Sequence, residues 1–243
     1  MSESTSLPFI TLPATTTHSA TVVLVHGLGD SGYGVKPLAS ELQAAGLGHC
    51  KFILPHAPAR AITANRGRAM PAWFDVRSFT PPAADDYTDM LASLASLEQL
   101  IANEAGVDMD RVVVGGFSQG GAMSLLTGLV SEQPIHGVFV LSGRLPLRDA
   151  DLNNPKLTEL TKPHSAALPI FWGHGSADPL ITLEMAQKGV DHLTEITGIP
   201  FAADGDDIMR GLSFKVYEGM DHSVWPQETA DLAAWLQRVL PPI

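Results

Sequence analysis

Short apolar runs alternating with segments of helical periodicity predict one α/β domain, built on a mainly parallel, doubly wound sheet with helices on both faces. Three observations carry that expectation. Strand-like runs such as Thr21-Val22-Val23-Leu24-Val25-His26 are continuously apolar rather than alternating, the pattern of strands covered on both faces. The stretches between them space their apolar residues at 3.6, as in Met90, Leu94, Leu97 and Ile101. At 243 residues, with 45% hydrophobic and 17% charged residues and no compositional break or linker, the chain suffices for one domain with a full core.

The first twenty residues, rich in Ser, Thr and Pro, read as an extended or loosely ordered arm leading into the sheet. Thr21 to His26 is the first strand. The loop after it, Gly27-Leu28-Gly29-Asp30-Ser31-Gly32, satisfies G-x-G-x-x-G. A dinucleotide site would also need an acid near the end of the next strand to hold the ribose, and Gly46 to Leu54 offers none. A glycine-rich loop in this place equally well brings a backbone N–H against a substrate without side-chain obstruction, and the Leu28 N–H is the candidate donor. Lys36 to Ala45 reads as a helix stopping at Gly46, and Lys51 to Leu54 as the second strand, with Cys50 a small buried hydrophobe at its start.

From Pro55 to Pro82 several prolines and the cluster Met70, Trp73, Phe74, Val76 and Phe79 show no clean period, so this segment reads as a flap beside the site, with a loop covering the core an equal reading for any one of its residues. Asp85 to Ala105 is the clearest helix. Arg111 to Phe117 is a strand, Gln119 to Leu129 its following helix, and Gly137 to Ser142 another buried strand. Gly143 to Ser165 is a polar, proline-bearing excursion. Pro169 to Gly173 is a strand, Thr182 to Thr197 a helix ended by Gly198, Ser213 to Tyr217 the last strand, and Pro226 to Leu240 a closing helix with proline at its first position.

Between the strand at Arg111 and its helix lies Gly115-Gly116-Phe117-Ser118-Gln119-Gly120-Gly121. Strand, sharp turn and helix around Gly116-x-Ser118-x-Gly120 form the context of a nucleophile elbow, in which Ser118 sits exposed at a strained turn near the positive end of the helix. A serine hydroxyl needs a base and an acid to orient that base, in the order Ser, Asp or Glu, His. Of the downstream histidines, His136, His164, His174, His192 and His222, only His222 lies in a loop between the terminal strand and the terminal helix. For the acid, Asp178 lies just past the carboxyl end of the Phe171 strand, whereas Asp221 adjoins His222 too closely to face it and Asp149 and Asp151 follow the wrong strand. The acidic loop Ala203 to Asp207 lacks the ligand spacing and distal Glu of a calcium loop and reads as a solvated surface. The reading requires no metal and no cofactor.

A net charge of −11 argues against electrostatic binding to nucleic acid or to an anionic membrane, so any lipid contact must be apolar. Residues 1–20 carry no Lys or Arg, and Val22 to Val25 is too short for a signal sequence or a stable membrane insertion. With one cysteine the chain has no internal disulfide, and the expectation is a soluble, cytoplasmic protein. Its oligomeric state is left open.

With these residues in place the chain resembles the acyl-protein thioesterases of the phospholipase/carboxylesterase family of α/β-hydrolases. The resemblance rests on His26 to Gly32, Pro55-His56-Ala57-Pro58, Met70 to Asp75, the elbow through Gly121, Leu145-Pro146-Leu147-Arg148, Asp178-Pro179-Leu180, Tyr217 to Ser223 and Leu240-Pro241-Pro242. It implies an α/β-hydrolase fold and a Ser118, Asp178, His222 triad. It further implies an oxyanion hole from the N–H groups of Leu28 and Gln119, and an acyl channel lined by Leu28, Val76, Phe79 and Leu180. The implied substrates are S-acylated proteins losing long acyl chains from cysteine, with lysophospholipids and small acyl esters besides. Two departures stand out: Gly198 to Leu212 is longer than the usual link, and Gly143-Arg144 stands where relatives often carry a larger apolar residue. The rival readings are a general carboxylesterase or lysophospholipase with the same triad, and a silent hydrolase-fold protein that binds an acyl ligand.

Overall fold

In the computed structural model, which describes residues 7–78, 86–147, 156–202 and 211–243, the apolar runs pair side by side into one seven-stranded sheet. Its strands are β1 (Phe9–Leu12), β2 (Ala20–Val25), β3 (Cys50–Pro55), β6 (Val112–Phe117), β7 (Gly137–Leu141), β8 (Ile170–Gly175) and β9 (Leu212–Tyr217), in the order β1-β3-β2-β6-β7-β8-β9. All pairings are parallel except β1 with β3. A separate antiparallel hairpin joins β4 (Ala59–Ile62) to β5 (Arg68–Pro71). The helices are α1 (Lys36–Ala44), α2 (Tyr87–Glu104), α3 (Gln119–Val130), the single turn α4 (Leu157–Leu160), α5 (Leu183–Thr197) and α6 (Pro226–Val239).

Strand side chains alternate faces, and a continuously apolar strand therefore feeds two cores at once. Val23, Val114, Val140 and Trp172 pack on one face with Met90 and Leu97 of α2, Met123 and Leu126 of α3, and Val190 and Leu193 of α5. Their neighbours Val22, Val113, Phe139 and Phe171 pack on the other face with Leu42 of α1 and Leu232 and Leu236 of α6. Local signals set the ends. The Asp86 carboxylate accepts the Asp89 N–H at 2.9 Å to start α2, Thr182 Oγ1 accepts the Met185 N–H to start α5, and Gly198 at φ 70° closes α5 in the left-handed conformation. Among the described residues, no helix is long and apolar enough to cross a membrane.

From β2 the chain moves outward to β3, then crosses back to place β6 on the other side of β2. The loops after β2 and β6 thus diverge, which opens a crevice at their carboxyl ends. The structure corrects two expectations nearby. The amino-terminal arm contributes β1, an antiparallel edge strand in register Phe9↔Pro55 to Leu12↔Phe52. The Pro55 to Pro82 segment, expected to lack regular structure, contains the β4–β5 hairpin. Both strands of that hairpin are largely exposed, so neither carries the buried alternation that marks a strand in sequence. Cys50 is buried, and its thiol is pushed up to about 12 by loss of solvent, with Arg111 opposing. The acidic loop at Asp204 to Asp207, and with it most of the long Gly198 to Leu212 link, lies outside the described residues.

One buried charge site has a measurable consequence. Glu228, in the first turn of α6, is fully buried against Gly173 of β8, and neither carboxyl oxygen has a well-formed hydrogen bond. Burial pushes its carboxyl from 4.5 up to about 8, the Asp231 charge adds to the rise, and the nearby Trp225 N–H opposes it. Because the folded value lies above the unfolded one, this group's stabilising contribution is complete below pH 4.5 and is lost as pH rises through 8. Glu228→Gln should therefore remove a fall of roughly 4 kcal/mol in unfolding free energy between those limits, each pKa unit being worth about 1.4 kcal/mol. Urea unfolding at pH 5 and pH 8.5 checks it; an equal pH slope in both proteins refutes it.

Candidate active site

Ser118 sits between β6 and α3 at φ 55° and ψ −116°, a left-handed backbone that a non-glycine residue adopts only when its surroundings force it. The forcing is visible. A Cβ on Gly116 would lie 2.3 Å from the Val25 carbonyl oxygen, and one on Gly120 would lie 2.1 Å from the same oxygen. Only glycines let β2 and α3 close on the turn from both sides, and the Ser118 N–H is pinned to Leu141 O at 2.9 Å. The hydroxyl is left facing the crevice.

His222, from the loop between β9 and α6, places Nε2 2.9 Å from Ser118 Oγ and Nδ1 2.7 Å from Asp178 Oδ2. A carboxylate only accepts, so Nδ1 carries the proton, and neutral Nε2 is left to accept from the serine hydroxyl. The ring rests on Phe117, with centroids 4.9 Å apart. Asp178 is buried past the end of β8, and its Oδ1 accepts the N–H groups of Leu180 at 2.8 Å and Ile181 at 2.9 Å. Three N–H donors thus satisfy a buried carboxylate. Of the other histidines considered, His192 lies on α5 at 3.6 Å from Glu195, away from the serine. His174 donates from Nε2 to Ile181 O at 2.7 Å, which closes the loop that carries Asp178, and burial lowers its pKa.

Two backbone donors border this chain of hydrogen bonds. Gln119 is the first residue of α3, so its N–H has no acceptor one turn back. The loop after β2 passes directly over the serine, since a Cβ on Gly27 would come within 3.4 Å of Ser118 Cβ. Leu28 follows it, and its N–H meets no acceptor among the described residues. The model of the Phospholipase/Carboxylesterase family matches residues 8–240. The chain belongs to the phospholipase/carboxylesterase family.

Relatives within reach agree over nearly the whole length. The chain is 40% identical over 242 residues to an acyl-protein thioesterase 1 of Cryptococcus neoformans, covering 97% of this chain and 99% of that protein. It is 40% identical over 235 residues to one of Mycosarcoma maydis, covering 92% of each. Among solved structures, Zea mays acyl-protein thioesterase 2 superposes with a TM-score of 0.77 at 27% identity, over 96% of this chain and 99% of that one.

The expected channel residues of this phospholipase/carboxylesterase family member divide three ways. Leu28 is half-buried in the loop beside Ser118, and Val76 is half-buried against the α2–α3 core. Leu180 is 53% exposed beside Asp178, an open position at the rim. Phe79 lies outside the described residues, as does Arg148. Arg144, one of the departures, lays its guanidinium 5.5 Å above the Phe74 ring. Sequence reasoning placed Trp73 in the flap beside the site, His26 at the end of its strand and the Gln119 N–H in the oxyanion hole, and missed what the side chains of Trp73, His26 and Gln119 do behind the site. The one local signal was an odd one, a histidine ending an otherwise apolar strand in Val25-His26-Gly27, repeated in Gly173-His174-Gly175.

Proposed function

We propose that this protein is a serine hydrolase of the acyl-protein thioesterase type, which removes long acyl chains from cysteine thioesters through Ser118, His222 and Asp178. The observation that carries this reading is the unbroken relay Ser118 Oγ, His222 Nε2, His222 Nδ1, Asp178 Oδ2, with both links under 3 Å. His222 takes the serine proton as Oγ bonds to the thioester carbonyl carbon, and the N–H groups of Leu28 and Gln119 hold the oxygen that becomes negative. The imidazolium then returns the proton to the departing cysteine sulfur. In the second half-reaction His222 deprotonates water as it attacks the acyl carbonyl carbon, and the imidazolium returns that proton to Ser118 Oγ as the ester bond breaks and the fatty acid leaves. The 40% identical relatives bear the thioesterase name, which favours thioesters of proteins as substrates over lysophospholipids and small esters. A single buried cysteine suits a cytoplasmic site of action.

The acyl chain is received by apolar contact along Leu28, Val76 and Leu180, with Phe79 assigned there by sequence. The test is kcat/KM for acyl thioesters and matched oxyesters from two to sixteen carbons. Each methylene drawn into an apolar channel should add up to about 0.8 kcal/mol, or roughly fourfold, until the channel is full. Values that climb to long chains, on thioesters at least as well as on oxyesters, are expected. A maximum at short chains would instead make the protein a general carboxylesterase, with Arg144 over Phe74 the first place to look for the obstruction.

A further inference from the structure

The two N–H groups assigned to the oxyanion belong to different loops, one after β2 and one after β6. An oxyanion hole works only if both donors lie 2.7–3.1 Å from the place the charged oxygen will occupy. Parallel pairing of β2 with β6 aligns the strands, but the loops leave them in diverging directions. A set of buried side chains ties those loops together.

The Gln119 side chain is buried and both ends of its amide are used: Oε1 accepts the Trp73 N–H at 2.8 Å, and Nε2 donates to Phe74 O at 2.7 Å. The Trp73 indole, fully buried, donates from Nε1 to His26 O at 2.9 Å, and the two rings lie 5.3 Å apart. His26 is held in turn. Its Nε2 accepts the Ala57 N–H at 3.1 Å, so Nδ1 carries the proton and donates to Gly27 O at 2.7 Å. In a trans peptide the carbonyl and the N–H point opposite ways, so fixing Gly27 O fixes the aim of the Leu28 N–H. The Trp73 carbonyl accepts the Ser93 hydroxyl from α2, which anchors the residue at N–H, C=O and indole N–H together.

We propose that Trp73 is a positioning residue for the oxyanion hole, a rigid brace between Gln119 and His26 that sets the separation and aim of the Gln119 and Leu28 N–H groups. The inference rests on reading those two groups as the oxyanion donors. It differs from a packing role in what it predicts for the transition state. Loss of packing lowers stability, whereas loss of the brace lowers affinity for a tetrahedral anion while sparing affinity for a neutral ligand.

Trp73→Phe keeps a buried ring and removes the indole donor; Gln119→Met keeps the backbone N–H and removes both amide bonds. Three quantities are compared in the full-length enzyme: kcat/KM on a long-chain thioester, Ki for the matching trifluoromethyl ketone, which Ser118 would capture as an anionic tetrahedral adduct, and Ki for the matching secondary alcohol. Each variant should lose about 10- to 100-fold in kcat/KM and a parallel factor in ketone affinity, with alcohol affinity held within about twofold. If both variants keep the wild-type ratio of ketone to alcohol affinity and lose only thermal stability, the brace is refuted and the proposed function stands. Should the wild-type enzyme bind the ketone no more tightly than the alcohol, the oxyanion reading itself fails and the brace goes with it. If Trp73→Phe does not fold, Gln119→Met makes the same comparison alone.

Discussion

Ser118→Ala should lower kcat on a long-chain thioester by about 10⁵- to 10⁶-fold while leaving the fold unchanged. The size follows from the geometry. The hydroxyl lies 2.9 Å from His222 Nε2 on a backbone already strained to φ 55°, a placement that a methyl group cannot replace. Alanine keeps the Cβ that the elbow accommodates and loses only one hydrogen bond to a half-buried imidazole, so the urea midpoint should stay within about 0.5 kcal/mol of wild type. His222→Ala should cost nearly as much, since a hydroxyl without its base is a poor nucleophile. If the two residues act as a single proton-transfer unit, the double variant should be no worse than the worse single one. Single-turnover release of thiol measures all three. Losses that add would uncouple Ser118 from His222, and activity in Ser118→Ala within tenfold of wild type would remove Ser118 from the chemistry.

How much of this was legible in the sequence depends on whether a feature is local. Ser118, Asp178 and His222 are separated by 60 and 44 residues, yet each lies just past the carboxyl end of a strand that its apolar or alternating pattern announces. Their meeting follows from a parallel sheet that brings such ends to one edge. Of the brace, only His26 has such a signal, at the end of the β2 run. Trp73 and Gln119 are 46 residues apart in elements of different kinds, and their bonds run from side chain to backbone, a pairing that no spacing or periodicity encodes. The hairpin β4–β5 escaped detection because its exposed strands alternate with nothing, and β1 because four residues in a Thr- and Pro-rich arm are too few to show a pattern. Helix ends were read to within a residue or two where a cap names them, as at Asp86, Thr182 and Gly198.

Asp178→Asn should lower kcat by about 10³- to 10⁴-fold with little change in KM or stability, for a reason peculiar to this carboxylate. Its Oδ1 accepts two backbone N–H groups, from Leu180 and Ile181, and its Oδ2 accepts the His222 Nδ1–H. An asparagine has one acceptor oxygen, and two buried N–H groups would go unsatisfied unless that oxygen takes the Oδ1 place. The amide NH₂ must then face His222, where it can only donate. Nδ1 becomes an acceptor, the imidazole proton moves to Nε2, and a ring that should receive the Ser118 proton presents one of its own. The protein stays folded and loses its base. Two measurements distinguish this from simple damage. Imidazole nitrogen resonances of His222 should show the proton on Nε2, and the residual rate should rise in proportion to hydroxide, the only base left to take the serine proton. Asp178→Ala offers the contrast: it strands the N–H groups of Leu180 and Ile181 and should cost about 2–4 kcal/mol of stability besides activity. An Asp178→Asn enzyme whose histidine keeps its proton on Nδ1, yet is equally slow, would show that Asp178 acts through charge alone rather than by choosing the tautomer.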